Sequence, residues 1–109
     1  MSKEIPFSRE VEYTTPTGIK TTLYSINVLA EALGRTSQTV RKWELGGTIP
    51  PTPFRIHGRR FYSKEHIDII VRSAEKSKIK VGKPICNTQF SNRCYKEFAE
   101  LHKKFFGEN

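Results

Sequence analysis

Apolar residues recur at helical spacing through Ile26, Leu29, Ala30 and Leu33, stop at Gly34, and resume with Val40 and Trp43. This pattern predicts two short helices joined by a tight turn. Ser25 is suited to cap the first, Gly34 to end it in the left-handed conformation, and Thr36 or Ser37 to cap the second. Leu29, Leu33, Val40 and Trp43 then face inward, and Trp43 reads as core rather than as a platform for base stacking. Thr36, Ser37, Gln38, Thr39, Arg41 and Lys42 are left largely outward. Short polar groups and cations are the side chains that read base edges and hold phosphates. After Trp43, Gly46 and Gly47 end the helix, and Pro50, Pro51 and Pro53 forbid its continuation. Residues 54–56 and 59–62 form two extended runs around His57 and Gly58, which predicts a hairpin, or wing, with Arg55, His57, Arg59 and Arg60 at its tip and flank.

On the N-terminal side, Val11, Tyr13, Ile19, Thr21, Leu23 and Tyr24 have strand character broken at residues 15–18. A second hairpin is expected there, adding strands to the wing or covering the core. Before it, a polar start offers only Ile5 and Phe7 as apolar anchors, and Lys20 is a further candidate for DNA contact. On the C-terminal side, Ser63 can cap a helix with Ile67, Ile70, Val71 and Ala74 on one face and Glu65 and His66 in its first turn. Lys76, Lys78, Lys80 and Lys83 lead into Gly82 and Pro84, a basic connector. A final amphipathic helix follows, capped by Ser91, with Tyr95, Phe98, Leu101, His102 and Phe105 on one face. It either packs back onto the domain or pairs with a second subunit, and Phe106 favours pairing.

The resulting expectation is an α+β fold, one compact domain in four segments. Residues 1–23 form an arm and β-hairpin, 24–77 a winged helix-turn-helix, 78–90 a basic linker and 91–109 an additional C-terminal helix.

The stretch from Tyr24-Ser25-Ile26 through Leu29-Ala30, Gly34, Thr39-Val40-Arg41, Trp43-Glu44, Gly47 and Ile49-Pro50 to Arg60-Phe61-Tyr62-Ser63 resembles the winged helix-turn-helix of the MerR superfamily. Excisionases and phage terminase small subunits share that domain. The resemblance implies that the second helix enters the major groove and the wing lies along the flanking backbone. Gln38, Thr39, Arg41 and Lys42 thereby acquire groove roles, and Arg59 and Arg60 wing roles. Three features depart from the family pattern. Arg35 stands where an apolar residue is usual and is expected to reach toward the phosphates, Lys42 stands where such regulators often carry a tyrosine, and a hairpin precedes the first helix.

Charge strengthens this reading. The chain of 109 residues carries a net charge of +8 with a pI near 9.7, which favours a polyanionic partner. Between residues 35 and 60 Arg35, Arg41, Lys42, Arg55, Arg59 and Arg60 stand against Glu44 alone, so more than half of the net charge lies in this unit. No apolar run approaches the roughly 18 residues of a membrane span, and the first residues lack the apolar core of a signal peptide, so a cytoplasmic protein is expected. Cys86 and Cys94 then read as reduced thiols.

Enzymatic readings find little support. Cys86, Cys94 and His102 lie eight residues apart, unlike the close ligand pairs of structural zinc sites. His57 and His66 lack the neighbours of a catalytic triad, Asp68 is the single aspartate, and no phosphate-binding glycine loop is present. Neither a metal, a cofactor nor a small-molecule ligand is expected. The partner is double-stranded DNA, with a homodimer through the C-terminal helix as a second association. Three functions stay open: a transcriptional regulator acting by repression as a dimer; an excisionase-like, packaging or architectural accessory of a phage or other mobile element; and a protein-interaction module that binds DNA nonspecifically.

Overall fold

The computed structural model describes residues 10–77 and 88–107. The alternating stretches that flank the helical pair meet in one antiparallel sheet. β1 (Val11–Thr14) pairs with β2 (Lys20–Ser25), β2 with β4 (Arg59–Ser63), and β4 with β3 (Phe54–Ile56), giving the order β1-β2-β4-β3. The N-terminal hairpin therefore adds strands to the wing. Side chains alternate across a strand, so Thr21, Leu23 and Ser25 all turn to the inner face of β2. The wing closes at His57-Gly58, with φ of 52° and 78°. Positive φ at both positions matches a two-residue turn to the right-handed strand twist, and Gly58 adopts it freely.

α1 (Ile26–Leu33) and α2 (Ser37–Leu45) form the helix-turn-helix. Gly34 takes a φ of 69°, and the Arg35 N–H donates back to the Ala30 carbonyl at 2.8 Å, closing the turn. Thr36 caps α2, its Oγ1 accepting from the Thr39 N–H at 3.2 Å. Ser25 occupies the cap position of α1 but makes no side-chain cap bond. It is still a strand residue, paired with Phe61, and its Oγ is buried without a partner on the inner face of the sheet.

α3 (Lys64–Lys76) starts as expected at Ser63, whose Oγ accepts from the His66 N–H at 3.0 Å. Its buried line runs through His66, Ile69, Ile70, Ser73 and Ala74, while Ile67 and Val71 are only half-buried. The His66 ring lies inside an aromatic cluster, 4.6 Å from Phe98, 5.7 Å from Phe54 and 5.9 Å from Phe105.

α4 (Thr88–Phe106) departs most from expectation. It begins three residues before Ser91, so Ser91 is not its cap; the Ser91 Oγ instead donates to the Thr48 carbonyl at 2.8 Å. The buried line is Phe90, Cys94, Phe98, Leu101 and Phe105. Tyr95 and His102, expected on that face, stand one position further round and are exposed. Once Phe90 is included, steps of three and four residues fix this phase. The stripe packs against α3 and the rest of the core, so of the two expected arrangements the chain adopts packing back. Thr17, in the turn between β1 and β2, donates through Oγ1 to the carbonyls of Lys104 and Phe105 at 2.6 and 2.9 Å, satisfying acceptors at the end of α4 that the helix leaves open.

The expectations for Ile5 and Phe7, for Lys78, Lys80 and Lys83, and for Cys86 lie outside the described residues. Among the described residues no helix is long and apolar enough to cross a membrane.

Candidate nucleic-acid interface

α2 projects from the core as its sequence pattern requires. Val40 and Trp43 are buried, with Trp43 9% exposed and edge-on to Phe90 at 5.7 Å. Gln38, Arg41 and Lys42 are exposed, and Ser37 and Thr39 are half-exposed. Thr36 faces solvent, but its Oγ1 is engaged by the Thr39 N–H and lies 3.1 Å from Thr39 Oγ1, so it shapes the start of the helix. Residues three, four and seven apart share a helix face. Gln38, Arg41, Lys42 and Leu45 therefore form one outward row, and Leu45, which the sequence reading passed over, is 78% exposed. Arg35 does not extend outward as expected: its guanidinium lies 5.3 Å over the Trp43 ring, a cation–π contact that braces the turn.

In the wing, His57 and Arg59 are exposed at the tip. Arg55 and Arg60 are directly opposed across β3 and β4. Both point to Glu44, the buried acid near the end of α2, whose Oε1 accepts from Arg60 Nε and lies 3.8 Å from an Arg55 nitrogen. Glu44 Oε2 accepts from the Thr52 N–H at 2.8 Å, and Thr52 Oγ1 donates to the Phe61 carbonyl at 2.5 Å. The candidate site residues thus fall into two sets. Gln38, Arg41, Lys42, His57 and Arg59 stand free on the surface side, whereas Thr36 and Arg60 are tied into the scaffold, with Ser37, Thr39 and Arg55 between. In the sequence Glu44 figures as part of the Trp43-Glu44 match and as a charge against six cations; its place directly after the buried Trp43 is the available clue to its structural role.

Lys20 is remote from this surface. Ser25 pairs with Phe61, two residues from Arg59, and β2 runs from there away from the wing tip. At about 3.3 Å per residue, Lys20 lies roughly 20 Å or more from Arg59 along the sheet.

Three groups have strongly shifted acidities, all through burial. The His66 imidazole is lowered to about 4, chiefly by desolvation. The Cys94 thiol is raised to about 11, again chiefly by desolvation. The Tyr62 phenol is pushed above its ordinary range by burial and secondarily by Glu44. Each shift favours the neutral form. Ser63 Oγ lies 2.6 Å from His66 Nδ1, and since it accepts the His66 N–H, its own proton is available to the ring nitrogen. These groups are packed into the core, and Tyr62 lies near enough to Glu44, Arg60 and Arg55 to feel their charges. Among the described residues no group of three or more His, Cys, Asp or Glu is placed to hold a metal ion.

Comparison with known proteins agrees with this geometry. Residues 24–72 match the family model described as MerR HTH family regulatory protein, a little under half of the chain. Neither the curated proteins nor the solved structures gave a match. β1, most of β2 and α4 lie outside the matched segment. With two short helices turned at Gly34, an outward row of polar and cationic residues on the second, and a wing closed at His57-Gly58, residues 24–72 form a winged helix-turn-helix that is similar to the DNA-binding domain of MerR-type regulators.

Proposed function

We propose that this protein is a cytoplasmic transcriptional regulator that binds selected double-stranded DNA sequences and represses by occupying promoters. The observation that carries the reading is the exposed row Gln38, Arg41 and Lys42 on α2, beside a wing tip that exposes His57 and Arg59. Arg and Lys can pair with guanine edges and Gln with adenine in the major groove, while wing cations supply sequence-independent phosphate affinity. One such module covers few base pairs, so useful selectivity calls for a dimer on paired half-sites. Since α4 spends its apolar stripe on its own core, a dimer contact through that helix uses its outer face, where Tyr95 is 44% exposed.

The test is recovery of fragmented genomic DNA by the purified protein at near-physiological salt with excess competitor, followed by sequencing. Enrichment of a few sites over promoters is the expected result. Enrichment beside attachment or packaging sites instead identifies an accessory of a mobile element. Uniform recovery removes sequence selectivity and leaves an interaction module with charge alone.

A further inference from the structure

We infer that Glu44 is the joint that fixes the wing relative to the recognition helix, and that Arg60 serves DNA binding as a positioning residue while Arg55 is the cation beside it that meets phosphate. This inference rests on the DNA-binding reading above. The Glu44 side chain is 3% exposed. A buried carboxylate is costly unless each oxygen finds a partner. Glu44 draws its partners from three segments: the Thr52 N–H in the loop after α2, Arg60 in β4 and Arg55 in β3. It thus joins α2 to both strands of the wing through one side chain. It also resolves a conflict in the hairpin, because two cations directly opposed across an antiparallel pair repel. Arg55 and Arg60 are such a pair, and the carboxylate between them offsets their charge.

The two arginines differ in what they can still offer. Arg60 donates through Nε and its side chain is only 16% exposed, so its charge is committed in the free protein. Arg55 is 49% exposed and its approach to Glu44, at 3.8 Å, is beyond hydrogen-bonding distance. Turning Arg55 toward a phosphate breaks no hydrogen bond to Glu44; turning Arg60 opens the joint.

The experiment uses the full chain and a duplex oligonucleotide, with binding measured across a series of salt concentrations for the native protein, Arg55→Gln, Arg60→Gln and Arg60→Lys. Arg55→Gln is expected to reduce the slope of log affinity against log salt by about 0.9, the counterion release of one phosphate contact. Arg60→Gln and Arg60→Lys are both expected to weaken binding by about tenfold at every salt concentration, the equivalent of one charge-assisted hydrogen bond, with the slope unchanged. Native affinity and slope in Arg60→Lys, or a slope lowered by Arg60→Gln, would overturn the assignment, because a phosphate contact needs only the charge. In the free protein, the Arg60 Nε–H signal by NMR should exchange slowly with water and stay in place as duplex is added, while those of Arg55 and Arg59 move. Rapid exchange of the Arg60 signal without DNA refutes the joint itself. If the native chain binds no duplex at all, the DNA-binding reading falls, and the free-protein NMR still judges the joint separately. Should Arg60→Gln fail to fold, Arg60→Lys and the NMR measurement carry the test.

Discussion

Phe90 stands edge-on to Trp43, their ring centroids 5.7 Å apart and their planes at 67°. This contact joins the first turn of α4 to the inner face of α2. Ser91 and Tyr95 continue the attachment through bonds to the Thr48 and Gly47 carbonyls, at 2.8 and 3.0 Å, just past the end of α2. The C-terminal helix is therefore part of the scaffold that holds α2 in place. Phe90→Ala removes a fully buried ring and should lower the unfolding free energy by about 3–5 kcal/mol. Urea denaturation followed by tryptophan fluorescence reads this directly through Trp43, and a loss below about 1 kcal/mol, the range of a mild core trim, contradicts the packing.

His66 gives the chain a pH dependence of known sign. Its folded pKa, about 4, lies below the ordinary value of 6.5, with Glu65 raising it and His102 lowering it beside the larger burial effect. The unfolded chain therefore binds more protons between those values, and stability rises with pH across that window. The His66 contribution is fully present above pH 6.5 and is lost as pH falls toward 4. Its size is of the order of 3 kcal/mol. His66→Gln, which cannot titrate, should show a flatter stability profile between pH 6.5 and 4 than the native protein. Identical profiles contradict a buried neutral imidazole.

Arg59 is exposed at the wing tip and has no scaffold contact to lose. Arg59→Ala should weaken all duplex sequences by a similar factor, reduce the salt slope by about 0.9, and leave the melting temperature within error of the native value. A change of base preference in this variant is the outcome that sinks its assignment to the backbone.

Cys94 sits at the contact of α4 with the core, and burial raises its thiol to about 11. Thiolate is the reactive form, so alkylation at pH 8 should be slow in the folded chain and fast in urea. Peptide mapping isolates the Cys94 site, and prompt modification without denaturant contradicts its burial.

The helix-turn-helix, the N-terminal hairpin and the wing were legible because their signals are local. Gly34 has to supply a left-handed turn, Thr36 and Ser63 are short hydroxyl caps adjoining apolar periodicity, and His57-Gly58 divides two alternating runs. The outward row of α2 followed from the same periodicity. What stayed hidden depends on partners distant in sequence. Glu44 meets Thr52 and Arg60, 8 and 16 residues along, so no local pattern separates a buried joint from a surface acid. Ser25 looked like a cap because the side chain suits that role, yet its strand register commits it to the sheet. In α4 the difference is one of phase: a helix starting at Ser91 leaves out Phe90 and turns Tyr95 and His102 inward beside Phe98, Leu101 and Phe105, whereas the fold buries Phe90 and Cys94 with those three.

The central claim is that α2 reads base sequence, and selection from a randomised duplex pool tests it most directly when the native protein is compared with Arg41→Ala. Arg41 is exposed in the outward row and makes no contact that the core requires. The native protein should enrich a defined motif, and Arg41→Ala should relax one position of it, at a cost of about 1–3 kcal/mol of discrimination there, while melting unchanged. An identical motif from both proteins, or none from the native one, contradicts the assignment of α2 as the recognition helix.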